Sequence, residues 1–96
     1  MGFVQIIEFR TSKADEVRKL GDEWEAAAAG DGRSRRRLFC QDRDDPGRYV
    51  NVVFFDSYED AMANSSLPVT QEFSGKMAAL ADGPPTFRNL DVVEER

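Results

Sequence analysis

Five side chains in this sequence could meet an oxygen-bearing substrate: the amides of Gln5, Asn51 and Asn89, the guanidinium of Arg37 and the phenol of Tyr49. Strand side chains alternate, and counting along the strands that carry these five puts all of them on one face of a sheet. There the amides could hydrogen-bond an enolate or quinone oxygen, Arg37 could balance an oxyanion, and Tyr49 could donate or relay a proton. Phe39 and Phe55 share the same parity and would supply apolar wall. Each has a plainer reading. The amides could satisfy one another across the sheet, and Tyr49 could pack at its mouth. Arg37 stands among Arg33, Arg35 and Arg36, a cluster that also suits an exposed edge strand protected against aggregation.

What the chain lacks narrows the chemistry further. It has no histidine, which removes the commonest general base, the usual zinc ligand and the commonest haem ligand. The single cysteine, Cys40, excludes an internal disulfide and fits a reducing cytoplasm; its alternating apolar neighbours suggest a small buried hydrophobe. Asp42, Asp44 and Asp45 look like the start of a calcium loop, but Pro46 falls at its fifth position and Val53 at its closing glutamate, so a turn and no metal is expected. A net charge of −5 argues against nucleic-acid binding. No apolar run nears the roughly 20 residues of a membrane helix, and no signal-peptide pattern opens the chain. A cytoplasmic protein without membrane contact is the expectation.

The elements that must position these residues are legible from patterning. Phe3–Arg10 reads as a strand. A helix follows, with Ser12 as N-cap, an apolar stripe at Val17, Leu20, Trp24, Ala27 and Ala28, and a stop at Gly30 and Gly32. Arg35–Asp42 and Tyr49–Phe55 form strands joined by the Asp44-Asp45-Pro46-Gly47 turn, hence an antiparallel hairpin. Ser57-Tyr58-Glu59-Asp60 is a capping box for a short helix through about Asn64. Pro68 opens another helix, striped by Val69, Phe73, Met77 and Leu80, and Thr86–Val93 is a last strand. One domain over 1–96 is implied. The β-α-β-β-α-β order describes an α+β, ferredoxin-like sandwich: a four-stranded antiparallel sheet with helices on one face.

Parity then splits the sheet. Val4, Ile6, Leu38, Cys40, Val50, Val52, Phe54, Leu90 and Val92 make an almost wholly apolar face, expected to lie under the helices. The face with the amides also carries five aromatics (Phe3, Phe9, Phe39, Phe55 and Phe87, with Tyr49 beside them), too many for open solvent. A second copy of the chain is expected to cover it. Glu8, on the parity assigned to the helices, is out of place there.

With this element order, the segments VVFFDSYEDA and ANSSLPVTQEF resemble the antibiotic-biosynthesis-monooxygenase-like group of the dimeric α/β-barrel superfamily. The resemblance implies that two sheets pair as a dimeric barrel, with a pocket in each subunit between sheet and helices or at the dimer seam. Asn64 and Val69 stand where that group often carries histidines, and no histidine follows on the next helix for haem. What the resemblance implies instead is a cofactor-free monooxygenase of a small hydrophobic, enolisable or phenolic aromatic, in which the substrate anion itself activates dioxygen. Asn64 could take a polar role in such a pocket. The alternative is a non-catalytic homodimeric barrel that binds a small ligand or serves a stress-related role. A third possibility, an isomerase or decyclase, would need a titratable base in the cavity; Asp91, Tyr49 and Glu8 are the available groups.

Overall fold

Phe3–Arg10 forms strand β1 with the bounds its β-branched and aromatic run predicts. The computed structural model describes residues 2–28 and 34–96. After β1 come α1 (Ala14–Ala28), β2 (Ser34–Gln41), β3 (Arg48–Phe55), α2 (Tyr58–Ser66), α3 (Pro68–Leu80) and β4 (Thr86–Asp91). The expected stop of α1 at Gly30 and Gly32 lies outside the described residues. The sheet is antiparallel, in the order β2-β3-β1-β4, as the split βαβ arrangement requires. Among the described residues no helix is long and apolar enough to cross a membrane.

Local signals account for most element ends. Ser57 caps α2 by accepting the Asp60 N–H, and Pro68 sits in the first turn of α3. Helix α1 opens differently from the expectation at Ser12. The buried Thr11 hydroxyl accepts the Lys13 N–H at 3.0 Å and donates to the Leu80 carbonyl at 2.7 Å, fastening the start of α1 to the end of α3. The acidic loop is a turn: Asp42 Oδ1 accepts the N–H groups of Asp44 and Asp45.

The register lays the residues out in rungs. Arg37, Val53, Gln5 and Asn89 lie side by side across the sheet; Phe39, Asn51, Ile7 and Phe87 form the next rung. On the opposite face Arg36, Phe54, Val4 and Leu90 share one rung, and Leu38, Val52, Ile6 and Arg88 another. Burial corrects the expected orientation of these faces. The helices cover the face with the amides, where Phe3, Phe9, Val53 and Phe55 are each no more than 7% exposed. The face of Val4, Ile6, Leu38 and Leu90 is the open one, with Leu38 at 36%, Leu90 at 45% and Cys40 exposed rather than buried. The physical reason is volume: aromatic rings fill the space between a sheet and helices that stand away from it, whereas valines and leucines make a flatter surface. Glu8 is no longer out of place, because on the open face its carboxylate meets Arg48 at 2.8 Å and Arg88 at 3.3 Å.

Beyond the sheet's end, Arg10 holds Asp45 through two hydrogen bonds, and this contact lowers the Asp45 pKa below the usual carboxylate value. A depressed native pKa adds stability above the unfolded value of about 3.9 and loses it as the pH falls through the native one. Thermal melts should therefore show Asp45→Asn slightly less stable than the parent at pH 7, with the two curves converging below about pH 3.9.

Candidate active site

The covered face does not pack solidly against the helices. A chamber of about 120 Å³ is lined by Gln5, Asn51, Val53 and Phe55 from the inner strands, Arg37 from β2, Asn64 and Ser65 from α2, and Trp24, Thr70 and Phe73 from the long helices. A second chamber of about 110 Å³ is more apolar, lined by Ile7, Phe9, Met77, Ala78, Ala81 and Pro85 around the same Asn51. Ile7, Asn51, Phe73, Ser74 and Phe87 border both, so the two chambers adjoin. Phe87, on the edge strand β4, is 56% exposed and marks the mouth. A larger crevice of about 530 Å³ lies at the far end of the sheet, by Phe54, Asp56 and Glu95; of the candidate side chains only Phe55 touches it.

Asn51 stands where the compartments meet. It is 4% exposed, and its Oδ1 has no hydrogen-bond partner among the described residues. A buried carbonyl left in this state costs about 1–3 kcal/mol, so a folded chain retains one only where something else offsets it. Gln5 and Asn89 behave differently: Gln5 Nε2 donates to Asn89 Oδ1 at 3.2 Å, which is the cross-sheet amide pair.

Arg37 reaches up from the sheet toward α1. Its side chain is 15% exposed, and its Nε donates to Glu25 Oε1 at 3.1 Å. Its two terminal nitrogens have no hydrogen-bond partner among the described residues. Asn64 is 6% exposed, and its backbone carbonyl accepts the Leu67 N–H where α2 gives way to α3. Tyr49 and Phe39 line neither chamber. Their rings stack on each other at 5.3 Å and on Phe9 at 6.2 Å, and the Tyr49 hydroxyl accepts from Gln41 Nε2.

The helices contribute lining that strand parity does not reveal. Trp24 is buried as its stripe predicts, but its Nε1 also donates to Thr70 Oγ1 at 3.0 Å, tying α1 to α3 over the first chamber. Phe73 and Met77, from the apolar stripe of α3, form the roof. Among the described residues Arg37 is the single ionisable side chain lining either chamber, and no three His, Cys, Asp or Glu side chains gather as a metal site. Glu8 is on the other face, Tyr49 lies outside the cavity and Asp91 is exposed, so none of the three bases available to an isomerase lines it.

No protein-family model matches the sequence, and neither does any curated protein. Solved structures do match. SnoaB, a cofactor-independent oxygenase from Streptomyces nogalater, is similar at a TM-score of 0.82 and 14% identity, over 98% of this chain and 95% of its own. A protein from Caulobacter crescentus, assigned as an antibiotic biosynthesis monooxygenase, gives 0.83 at 16% identity, over 97% and 91%. Another so assigned, from Chloroflexus aurantiacus, gives 0.76 at 20%, over 100% and 97%. This chain has the fold of antibiotic biosynthesis monooxygenases. At such identities what is shared with SnoaB and the others is the backbone arrangement, and the chemistry has to be argued from the cavity's own side chains.

The orphaned carbonyl gives a direct stability test. Asn51→Leu replaces an unpaired polar group with an apolar one of similar size. Urea unfolding should show the variant equal to the parent or more stable, by up to about 2 kcal/mol. A loss of that size would mean that Asn51 has a partner in the folded chain.

Proposed function

We propose that the chain is a cofactor-independent monooxygenase that oxidises a small hydrophobic, enolisable or phenolic aromatic with dioxygen. The observation that carries this reading is the buried, unpartnered Asn51 carbonyl at the junction of a polar and an apolar compartment. Ligand pockets combine an apolar lining with a few directed polar groups in this way. Size adds a constraint. An apolar cavity of about 150 Å³ admits benzene; neither compartment reaches that volume alone, while the two joined exceed it. The ligand therefore spans both, with Asn51 at its waist.

The chemistry follows from the lining. The substrate reacts as its anion, transfers an electron to dioxygen, and the radical pair combines to a hydroperoxide. Loss of water then leaves a carbonyl where a methylene stood, so one oxygen atom enters the product, the other leaves as water, and the substrate supplies all the electrons. Arg37 stabilises the anion electrostatically in a site shielded from water. Asn51 accepts a hydrogen bond from a substrate hydroxyl or, with its amide turned over, donates one to the enolate oxygen. Gln5, with Asn89 behind it, and Asn64 fix the polar end, and Phe55 packs against the ring. Tyr49 and Phe39 support the sheet beneath.

Oxygen-electrode assays over a panel of hydroxynaphthalenes and anthrones test this reading directly. Uptake is expected for members that ionise, falling at least tenfold in Asn51→Ala and Arg37→Ala, where about 1.4 kcal/mol of lost stabilisation suffices. Turnover unaffected by both changes would refute the assignment. With no ionisable base in the cavity, the rate should rise with pH as the substrate's own ionisation does and move in step when a more acidic substrate is used. A midpoint fixed across substrates would point to a protein base. The small size of each compartment leaves a second reading, a non-catalytic ligand-binding barrel, which would bind these aromatics without oxygen uptake.

We further infer that a second copy covers the open face, pairing the sheets into a dimeric barrel. Val52, Ile6, Leu38, Val4, Phe54 and Leu90 form an apolar surface there, flanked by Arg36 and Arg88 on the edge strands and by the Glu8–Arg48 pair at one end. Val52→Glu should give a monomer by sedimentation velocity and speed modification of Cys40 by a thiol reagent. A parent that is already monomeric at micromolar concentration would overturn the pairing.

A further inference from the structure

Helix α1 carries a glycine, Gly21, on the face that packs toward the sheet, one turn after Val17 and one before Glu25. Glycine is a poor helix-interior residue, and a buried one needs a reason in what lies against it. What lies against Gly21 is Arg37. A Cβ added there would fall 2.8 Å from Arg37 Nη1, 3.1 Å from Nη2 and 3.2 Å from Cζ. The guanidinium occupies the notch that the absent side chain leaves, and Glu25, four residues along the same helix, holds its Nε at 3.1 Å.

We propose that Gly21 is a positioning residue: it seats the Arg37 guanidinium against α1 so that the terminal nitrogens form a binding subsite for an anionic oxygen at the polar end of the cavity. This rests on the reading that the cavity holds an ionisable aromatic. Three features agree. Arg37 is largely buried, and a buried cation requires compensation. Its carboxylate partner among the described residues, Glu25, is 54% exposed and engages Nε rather than the terminal nitrogens. The group a Cβ would strike is the far end of a flexible side chain, so Gly21→Ala displaces the guanidinium without obliging the backbone to move.

The test uses two probes: 4-nitro-1-naphthol, whose anion is coloured, and its methyl ether, which cannot ionise. Bound to the parent protein, the naphthol should ionise at a pH at least about one unit lower than in solution, a tenfold preference for the anion. Gly21→Ala and Arg37→Gln should each abolish that shift, and Gly21→Ala should leave the affinity for the ether within about twofold. Gly21→Ala added to Arg37→Gln should then have no further effect, whereas a purely structural glycine would act in both backgrounds. An unshifted ionisation in the parent, or a shift that survives Gly21→Ala, overturns the proposal while leaving the cavity reading intact. Failure of the parent to bind either probe overturns the cavity reading, and this inference with it. If Gly21→Ala alone does not fold, folding of the double variant identifies Arg37 as the obstacle and supports the proposal. A double variant that also fails to fold overturns it.

Discussion

Alternation along β3 imposes the constraint on which the rest of the structure depends. β3 lies between β2 and β1, and apart from Arg48 and Asn51 its residues are apolar on both faces of the sheet. One domain of this size has helices for one face only. The chain thus separates two tasks across a single layer of backbone. Asn51, Val53 and Phe55 line a cavity roofed by helices, with Tyr49 beyond it on the same face, while Val50, Val52 and Phe54 lie on the open face.

The fold was legible in the sequence because its signals are local. Caps, proline and the acidic turn mark where elements begin and end, and β1 has the bounds its composition predicts. Parity also sorted the strand residues into the right two sets. It could not say which set meets the helices, and judging by apolar content alone inverts the answer. A face that closes on another sheet can be all valine, leucine and isoleucine, whereas a face with helices above it needs rings to bridge the gap and tolerates amides where a cavity is left. The volume of Phe3, Phe9 and Phe55 was the available clue.

The site was legible in part for a related reason. Gln5, Asn51 and Arg37 share strand parity, and the register brings them to neighbouring rungs around one chamber. Tyr49 has the same parity but lies one rung beyond Asn51, where Phe9 and Phe39 enclose it. Parity fixes a face but not a position along it. The helical lining was hidden more deeply, since Trp24, Phe73 and Met77 read equally well as core. Gly21 gave a usable signal: a glycine within an otherwise apolar helical stripe marks a place where something approaches the backbone.

The features that a stability optimum would remove converge on the first chamber and on the guanidinium that lines it. An unpaired Asn51 carbonyl costs about 1–3 kcal/mol. A glycine inside α1 costs roughly 1 kcal/mol against alanine. The half-compensated charge of Arg37 adds to both, and a domain has only about 5–15 kcal/mol in total. Elsewhere the chain looks after its polar groups, with Gln5 paired to Asn89, Thr11 bonded twice and Glu8 held between two arginines. Polar groups left wanting in one cavity, in a chain that satisfies them elsewhere, are the feature on which the proposed function rests. Among the described residues the cavity offers a fixed positive charge and amides but no base, so under the proposed function the substrate brings its own acidity.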